Sequence, residues 1–312
     1  MPWKQNYTIS DTTSLADGAL RWPGGAQCCV SLTVDLSQAS SPAGITPADL
    51  KNSWSYFGLN EGLDLLLATL KRYGLRATFA VPAVIAAFMP DRIRAIQAAG
   101  HEIAAEGLKH EDTSQMSREE EAARIEKAAT ILQGITGKRP AGWYCLPRQR
   151  DAFAVGTISP NTVELLRQAG FSYLGNGLAD DIPHYWVTND AKRTALLTMP
   201  YYYHYDDQWF CMFPLEGTGL EHPDMMFRNW AAEFRAQYRR GRHFHMTLHP
   251  QHIGWCSRLA MLEQFCALMQ GFPGLWNPTN AELAAHWQAV HPAETQLRLE
   301  PSVWQDYPGS LS

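Results

Sequence analysis

The sequence predicts an α/β fold, a single (β/α)-type barrel of parallel strands. Three observations predict it. Short apolar runs alternate with segments of helical periodicity, and such runs suit strands buried on both faces. The strand–helix–strand spacing calls for parallel strands joined by right-handed crossovers. Asp35, Glu106 and His249 each terminate an apolar run, as expected where a site occupies the C-terminal rim of a barrel.

The elements follow in order. Residues 1–26 read as an extended arm, suited to a neighbouring subunit, that ends in the turn signal Arg21-Trp22-Pro23-Gly24-Gly25. Cys28 to Asp35 is the first strand, followed by a Ser-, Pro- and Gly-rich loop from Ser37 to Ser55. Leu63, Leu66, Leu67 and Leu70 recur at helical spacing, with Gly74 placed to cap. Arg76 to Val81 is a second strand, Pro90 to Ala99 a helix, and Glu102 to Ala105 a third strand. Ser117 and Glu120 have the capping-box spacing for a long helix ending near Gly134. Ala141 to Cys145 and Phe171 to Leu174 are the next strands, separated by a helix that starts at Ser159-Pro160. The span from Leu178 to Leu220 reads as irregular. Trp230 to Tyr238 is helical, His243 to Leu248 a strand, Leu259 to Met269 a helix, Gly274 to Asn277 a strand and Ala281 to Trp287 a helix. The expected layout is an arm (1–26), a barrel domain (27–290) and a polar tail (291–312).

Composition limits the function. Of 312 residues, 46% are hydrophobic and only 18% charged, against roughly 25% in ordinary soluble domains. With 11 Trp, 12 Tyr and 12 Phe, this suggests either a homo-oligomer (tetramer or dimer) or a large core with aromatic-lined pockets. A net charge of −5 offers no basic field for nucleic acid or an anionic membrane. No apolar run approaches the ~20 residues of a membrane span, and Met1 to Gln5 lacks an apolar signal region, so a cytoplasmic enzyme acting on a small molecule is expected. The six cysteines are scattered and read as small buried hydrophobes. Cys145 would be a nucleophile only if a base lowered its pKa, and no such base is visible.

The chemistry gathers at the strand ends. Glu106 and His110, four apart across a Gly-containing turn, are ligand types for zinc and equally proton-transfer types. Asp35, Glu106 with His110, and His249 on one rim can act as base, ligand and acid in amide hydrolysis. His249 is suited to protonating a leaving nitrogen. The run Tyr201 to Asp207 reads as a pocket wall or a subunit contact, and Trp255 and Arg258 are placed to close the pocket mouth.

Val30-Ser31-Leu32-Thr33-Val34-Asp35, Ala77-Thr78-Phe79, Gly100-His101-Glu102-Ile103, Gly137-Lys138-Arg139-Pro140-Ala141-Gly142-Trp143, Ser159-Pro160-Asn161-Thr162, Asp181-Ile182-Pro183 and Leu248-His249-Pro250 together resemble the polysaccharide deacetylase (NodB-homology) superfamily. The branch with allantoinase-like and peptidoglycan-deacetylase-like members is the most similar. The resemblance implies a distorted, incomplete (β/α) barrel and commonly a homotetramer. It implies Asp35 as catalytic base and His249 as general acid. It also shows replacements: Leu36 or Ser37 stands where the metal aspartate is expected, Glu106 where the first metal histidine is, and Tyr144 where the base-orienting arginine is, while His110 keeps the second histidine's place. Arg148 or Arg150 is positioned to substitute for that arginine, and Tyr144, Arg148, Trp255 and Arg258 are the candidate substrate-binding residues. Glu106 and His110, with Asp35, are the candidate metal ligands, and the expectation is no metal or a weakly bound divalent one, zinc first. The leading expectation is a hydrolase of a non-peptide C–N bond in a small amide, cyclic imide or ureide. The alternatives are a metal-dependent N-deacetylase of an amino sugar or peptidoglycan fragment, and a catalytically silent binding protein.

Overall fold

The computed structural model describes residues 15–38, 41–148, 156–189, 192–211 and 222–297. Among these described residues nine strands form one sheet: β1 (Cys28–Asp35), β2 (Thr78–Val81), β3 (Glu102–Ala105), β4 (Gly142–Trp143), β5 (Tyr173–Gly177), β6 (His184–Asn189), β7 (Thr194–Pro200), β8 (His243–Leu248) and β9 (Leu275–Trp276). Their order is β6-β7-β5-β4-β3-β2-β1-β8, with β9 paired to the first residues of β1. All pairs are parallel except β6 with β7. Among the described residues β7 and β8 share no ladder, and a parallel bridge between Asp206 and Thr247 spans that side. The result is the distorted, incomplete (β/α) barrel that the sequence implied.

Strand alternation sorts the side chains into two layers. Val30, Leu32 and Val34 of β1 and Phe244, Met246 and Leu248 of β8 pack outward beneath the helices. The opposite phase faces the lumen, through Cys29, Ser31, Thr33 and Asp35 on β1 and His243, His245, Thr247 and then His249 on β8. On β3 the same phase runs Glu102, Ala104, Glu106. Val34 pairs with Leu248, so Asp35 and His249 lie on the next rung of the same ladder.

Helices form where the pattern placed them, including α2 (Leu63–Arg72), preceded by α1 (Ser53–Phe57) and a π-helical turn (Gly58–Gly62). Ser117 caps α5 (Arg118–Thr136) through the amide of Glu120. The 178–220 span departs from expectation, because it contains β6 and β7. Their side chains pack against β5 and the barrel end, and tertiary pairing overrides a weakly periodic, Pro-flanked stretch. The arm also differs. Leu20 and Trp22 are buried on their own chain, with the Trp22 indole donating to the Gly241 carbonyl at 2.9 Å and lying 6.0 Å from the rings of Trp276 and Trp287. Residues 15–26 thus close the N-terminal end of the barrel. Residues 1–14 and the tail beyond 297 lie outside the described residues.

Three glycines join the π-turn to α9 (Pro250–Ile253), the short helix that follows His249. A methyl group on Gly62 would sit 2.4 Å from the Pro250 carbonyl oxygen, one on Gly58 2.7 Å from Gln251 Cβ, and one on Gly254 2.6 Å from Gly62 Cα. Only glycine permits such backbone approach. Gly62→Ala is expected to lower unfolding free energy by about 1–3 kcal/mol. Gly134→Ala, in the helix interior with nothing within 4 Å, should raise it by about 0.5–1 kcal/mol. Urea denaturation of both variants measures the two signs.

Candidate active site

His249 is held from both sides. Its Nε2 donates to Asp35 Oδ2 at 3.0 Å and its Nδ1 to Asp207 Oδ1 at 2.7 Å, while its backbone N–H lies 3.0 Å from each Asp207 oxygen. Asp206 Oδ1 is 3.4 Å from the same Nδ1. Asp35, Asp206, Asp207 and His249 are all buried. A carboxylate at each ring nitrogen requires a proton on each, so the ring is an imidazolium. Burial opposes that charge, but Asp206, Asp35 and Asp207 outweigh it and push His249 well above its ordinary range.

The carboxyl groups divide accordingly. Burial would raise Asp35, yet the charged His249 ring, their hydrogen bond and His110 hold it well below the usual carboxylate range. The amide of Ser37 also donates to Asp35 Oδ1 at 2.5 Å. Burial, with the Asp207 charge added, pushes Asp206 up to about 7 against the pull of His249. Asp206 in turn accepts the Tyr201 hydroxyl at 2.7 Å and the Gln208 amide at 2.8 Å. Glu106, fully buried, is raised well above its ordinary value by burial and then by the Asp35 charge. The same surroundings thus favour the neutral form at Glu106 and the ionised form at Asp35.

Glu106 and His110 do come together, with His110 Nε2 3.6 Å from Glu106 Oε1. His110 has a left-handed backbone (φ 56°), uncommon outside glycine. Its Nε2 also lies 2.8 Å from the Leu146 carbonyl. A carbonyl only accepts, so that nitrogen carries a proton and has no lone pair for an ion. Burial and the Asp35 charge, which push Glu106 toward its neutral form, and the ion pair that engages Asp35 weigh against a divalent metal between them, while the His110 hydrogen bond leaves Nδ1 as the ring atom able to meet one. A different trio, Asp206, Asp207 and His249, places ligand-type atoms within 4.8 Å of one another. In this arrangement His249 Nδ1 donates to Asp207, so an ion held by the trio would require the ring to give up that proton.

The expected substrate-binding residues are spread more widely. Tyr144 lies in the lumen below Asp35, its hydroxyl 3.3 Å from Thr33 Oγ1 and 2.5 Å from Asn280 Nδ2, and its ring over Gly175. Arg148 braces the His110 turn, donating to the His110 carbonyl at 3.4 Å and to Thr157 at 2.9 Å, and Arg150 lies outside the described residues. Trp255 is 43% exposed at the rim, and Arg258 donates to the His252 carbonyl at 3.1 Å. The buried Cys145 thiol is pushed up by burial, which argues against a nucleophile. The sequence places Asp206 and Asp207 only within a run read as a pocket wall or a subunit contact, gives them no role toward His249, and does not single out His252. The adjacent aspartates in a charge-poor, aromatic stretch were the available signal.

Comparison with known proteins agrees with this framework. Residues 49–174 match the family model described as Polysaccharide deacetylase. The chain is 27% identical to a peptidoglycan deacetylase of Helicobacter pylori, over 66% of this chain and 75% of that one. It superposes on a polysaccharide deacetylase-like protein of Mycobacterium smegmatis with a TM-score of 0.76 and 28% identity, covering 89% of this chain and 95% of that one. It superposes on Puue allantoinase with a TM-score of 0.75 and 25% identity, covering 90% and 95%. The chain is thus similar to the polysaccharide deacetylases, as its motifs indicated. No helix among the described residues is long and apolar enough to cross a membrane.

The charges set a pH dependence. Asp35 is depressed in the fold, so its contribution is full above the ordinary value of 3.8 and is lost as pH falls toward the depressed value. His249 is raised, so its contribution is full below 6.5 and is lost only as pH rises through the raised value. Asp206 acts oppositely: the fold keeps a proton that the unfolded chain releases, so stability drains between 3.8 and about 7. Asp35→Asn leaves a buried charge without its partner and should cost about 3 kcal/mol or more near neutrality. Urea titrations of both proteins should show this gap constant from about pH 6 to 8 and closing below about pH 4. A gap that widens on acidification would contradict the assignment.

Proposed function

We propose that this relative of the polysaccharide deacetylases hydrolyses a C–N bond other than a peptide bond in a small amide, cyclic imide or ureide, without a bound metal. The contact between Asp35 and His249 carries the reading. At neutral pH an ionised carboxylate faces a protonated imidazole, the states that a general base and a general acid need at the start of a cycle. Substrate and water displace the direct contact. Asp35 takes a proton from water as its oxygen attacks the carbonyl carbon, and His249 Nε2 gives a proton to the leaving nitrogen as the C–N bond breaks. The proton on Asp35 then returns to His249 across their hydrogen bond, which restores both groups. Asp207 keeps the ring oriented throughout, and neutral Glu106 with His110 positions the carbonyl.

A screen of cyclic imides, hydantoins, ureides and N-acetyl amino sugars tests the proposal, together with elemental analysis of the purified chain. Turnover without stoichiometric metal, insensitive to chelator, is expected. Asp35→Asn and His249→Ala should each lower kcat by about 10²–10⁴-fold. Equal turnover by wild type and Asp35→Asn would remove Asp35 from the mechanism.

The relation to the Helicobacter pylori enzyme and the Asp206, Asp207 and His249 grouping favour a second reading, metal-dependent N-deacetylation of an amino sugar or peptidoglycan fragment. One zinc per chain, with chelator-sensitive release of acetate from N-acetyl amino sugars, would establish it instead.

A further inference from the structure

An aromatic wall stands beside His249, outside the groups that the proposed reaction uses. Trp54 and Phe57 project from α1, and Trp255 follows α9 across the glycine contacts. Trp255 stacks on Phe57 with ring centroids 4.1 Å apart and planes 20° from parallel. Its indole N–H donates to the Gln251 carbonyl at 3.0 Å. Trp54 stands 6.4 Å from Trp255, tilted 37°, and 5.3 Å from His252. The His252 ring in turn lies 5.3 Å from that of His249.

Two independent features of this wall point to a ligand. Trp54 and Trp255 are 44% and 43% exposed, so large flat faces meet solvent where burial would be favourable. His252, by contrast, is 98% buried, yet its Nδ1 has no hydrogen-bond partner among the described residues. A buried polar atom left without a partner is costly unless something arrives to meet it. The wall continues, ring to ring, from solvent through His252 to the proposed acid.

We propose that Trp54, Phe57, His252 and Trp255 form a subsite for a flat ring attached to the scissile amide. The ring stacks on the indoles, and a polar atom of the substrate meets His252. The inference rests on the hydrolase reading and names its substrate class: a cyclic amide carrying an aromatic substituent. A saccharide would use the same faces through its C–H bonds, and the experiment separates the two.

Isothermal titration of the full chain with hydantoin, 5-phenylhydantoin and N-acetylglucosamine is the test. 5-Phenylhydantoin should bind about fivefold tighter than hydantoin. Trp54→Ala should remove that margin while leaving hydantoin affinity unchanged, Trp255→Ala should remove it whatever its effect on hydantoin itself, and Trp255→Phe should keep it. These side chains are more than two-fifths exposed, so the variants are expected to fold, which circular dichroism checks. His252→Leu should weaken both hydantoins by a common factor of about three to ten. An absent margin, a margin that survives both alanine variants, or tighter binding of N-acetylglucosamine with the same sensitivity overturns the subsite. A phenyl margin alongside turnover unaffected by Asp35→Asn keeps the subsite and removes the hydrolase reading.

Discussion

One buried imidazolium organises the rim of this barrel. His249 carries its charge into a region from which water is excluded, where an unpaired ion would be very costly. The fold offsets that cost with Asp35 on one nitrogen and Asp207 on the other. The remaining carboxyl groups adjust around this arrangement. Burial first, and then the carboxylate charges already present, push Asp206 and Glu106 toward their neutral forms. The cluster therefore holds its charge near balance through proton placement.

The framework delivers these groups with little freedom. Asp35 and His249 stand on adjacent strands in register, one rung beyond Val34 and Leu248. Glu106 emerges from β3 in the same inward phase as Glu102 and Ala104. Asp206 and Asp207 arrive differently, on the segment after β7, which the bridge to Thr247 brings against β8. Beneath them the Tyr144 ring and its contacts with Thr33 and Asn280 fill the lumen. The site is thus open to change only from the rim side.

Much of this was legible in the residues. Strand phase alone turns Asp35, Glu106 and His249 inward at the same end, because two-residue alternation carries each from a recognisable apolar run. The same logic places Tyr144 in the lumen rather than at the mouth, a consequence visible only once the register of β4 and β5 is known. β6 and β7 escaped notice because their pattern is interrupted by polar and proline residues, and pairing with β5 supplies what local preference lacks. The role of Asp206 and Asp207 escaped because no periodicity connects them to His249, which stands 42 positions after Asp207. His110 was legible as a residue type but not in its role. Which way its ring nitrogen is committed depends on the Leu146 carbonyl, a contact between two loops.

The π-turn at Gly58–Gly62 has a consequence for how this protein can diverge. Its one additional residue per turn sets where Gly58 and Gly62 meet the backbone behind His249. Deleting a residue would restore ordinary helical winding and swing both glycines out of that contact. Inserting one would push a side chain into Pro250. Chain length between residues 53 and 63 is thereby frozen, and new substrate preferences are accessible by exchanging the rings at 54 and 255 rather than by lengthening or shortening the segment that carries Trp54.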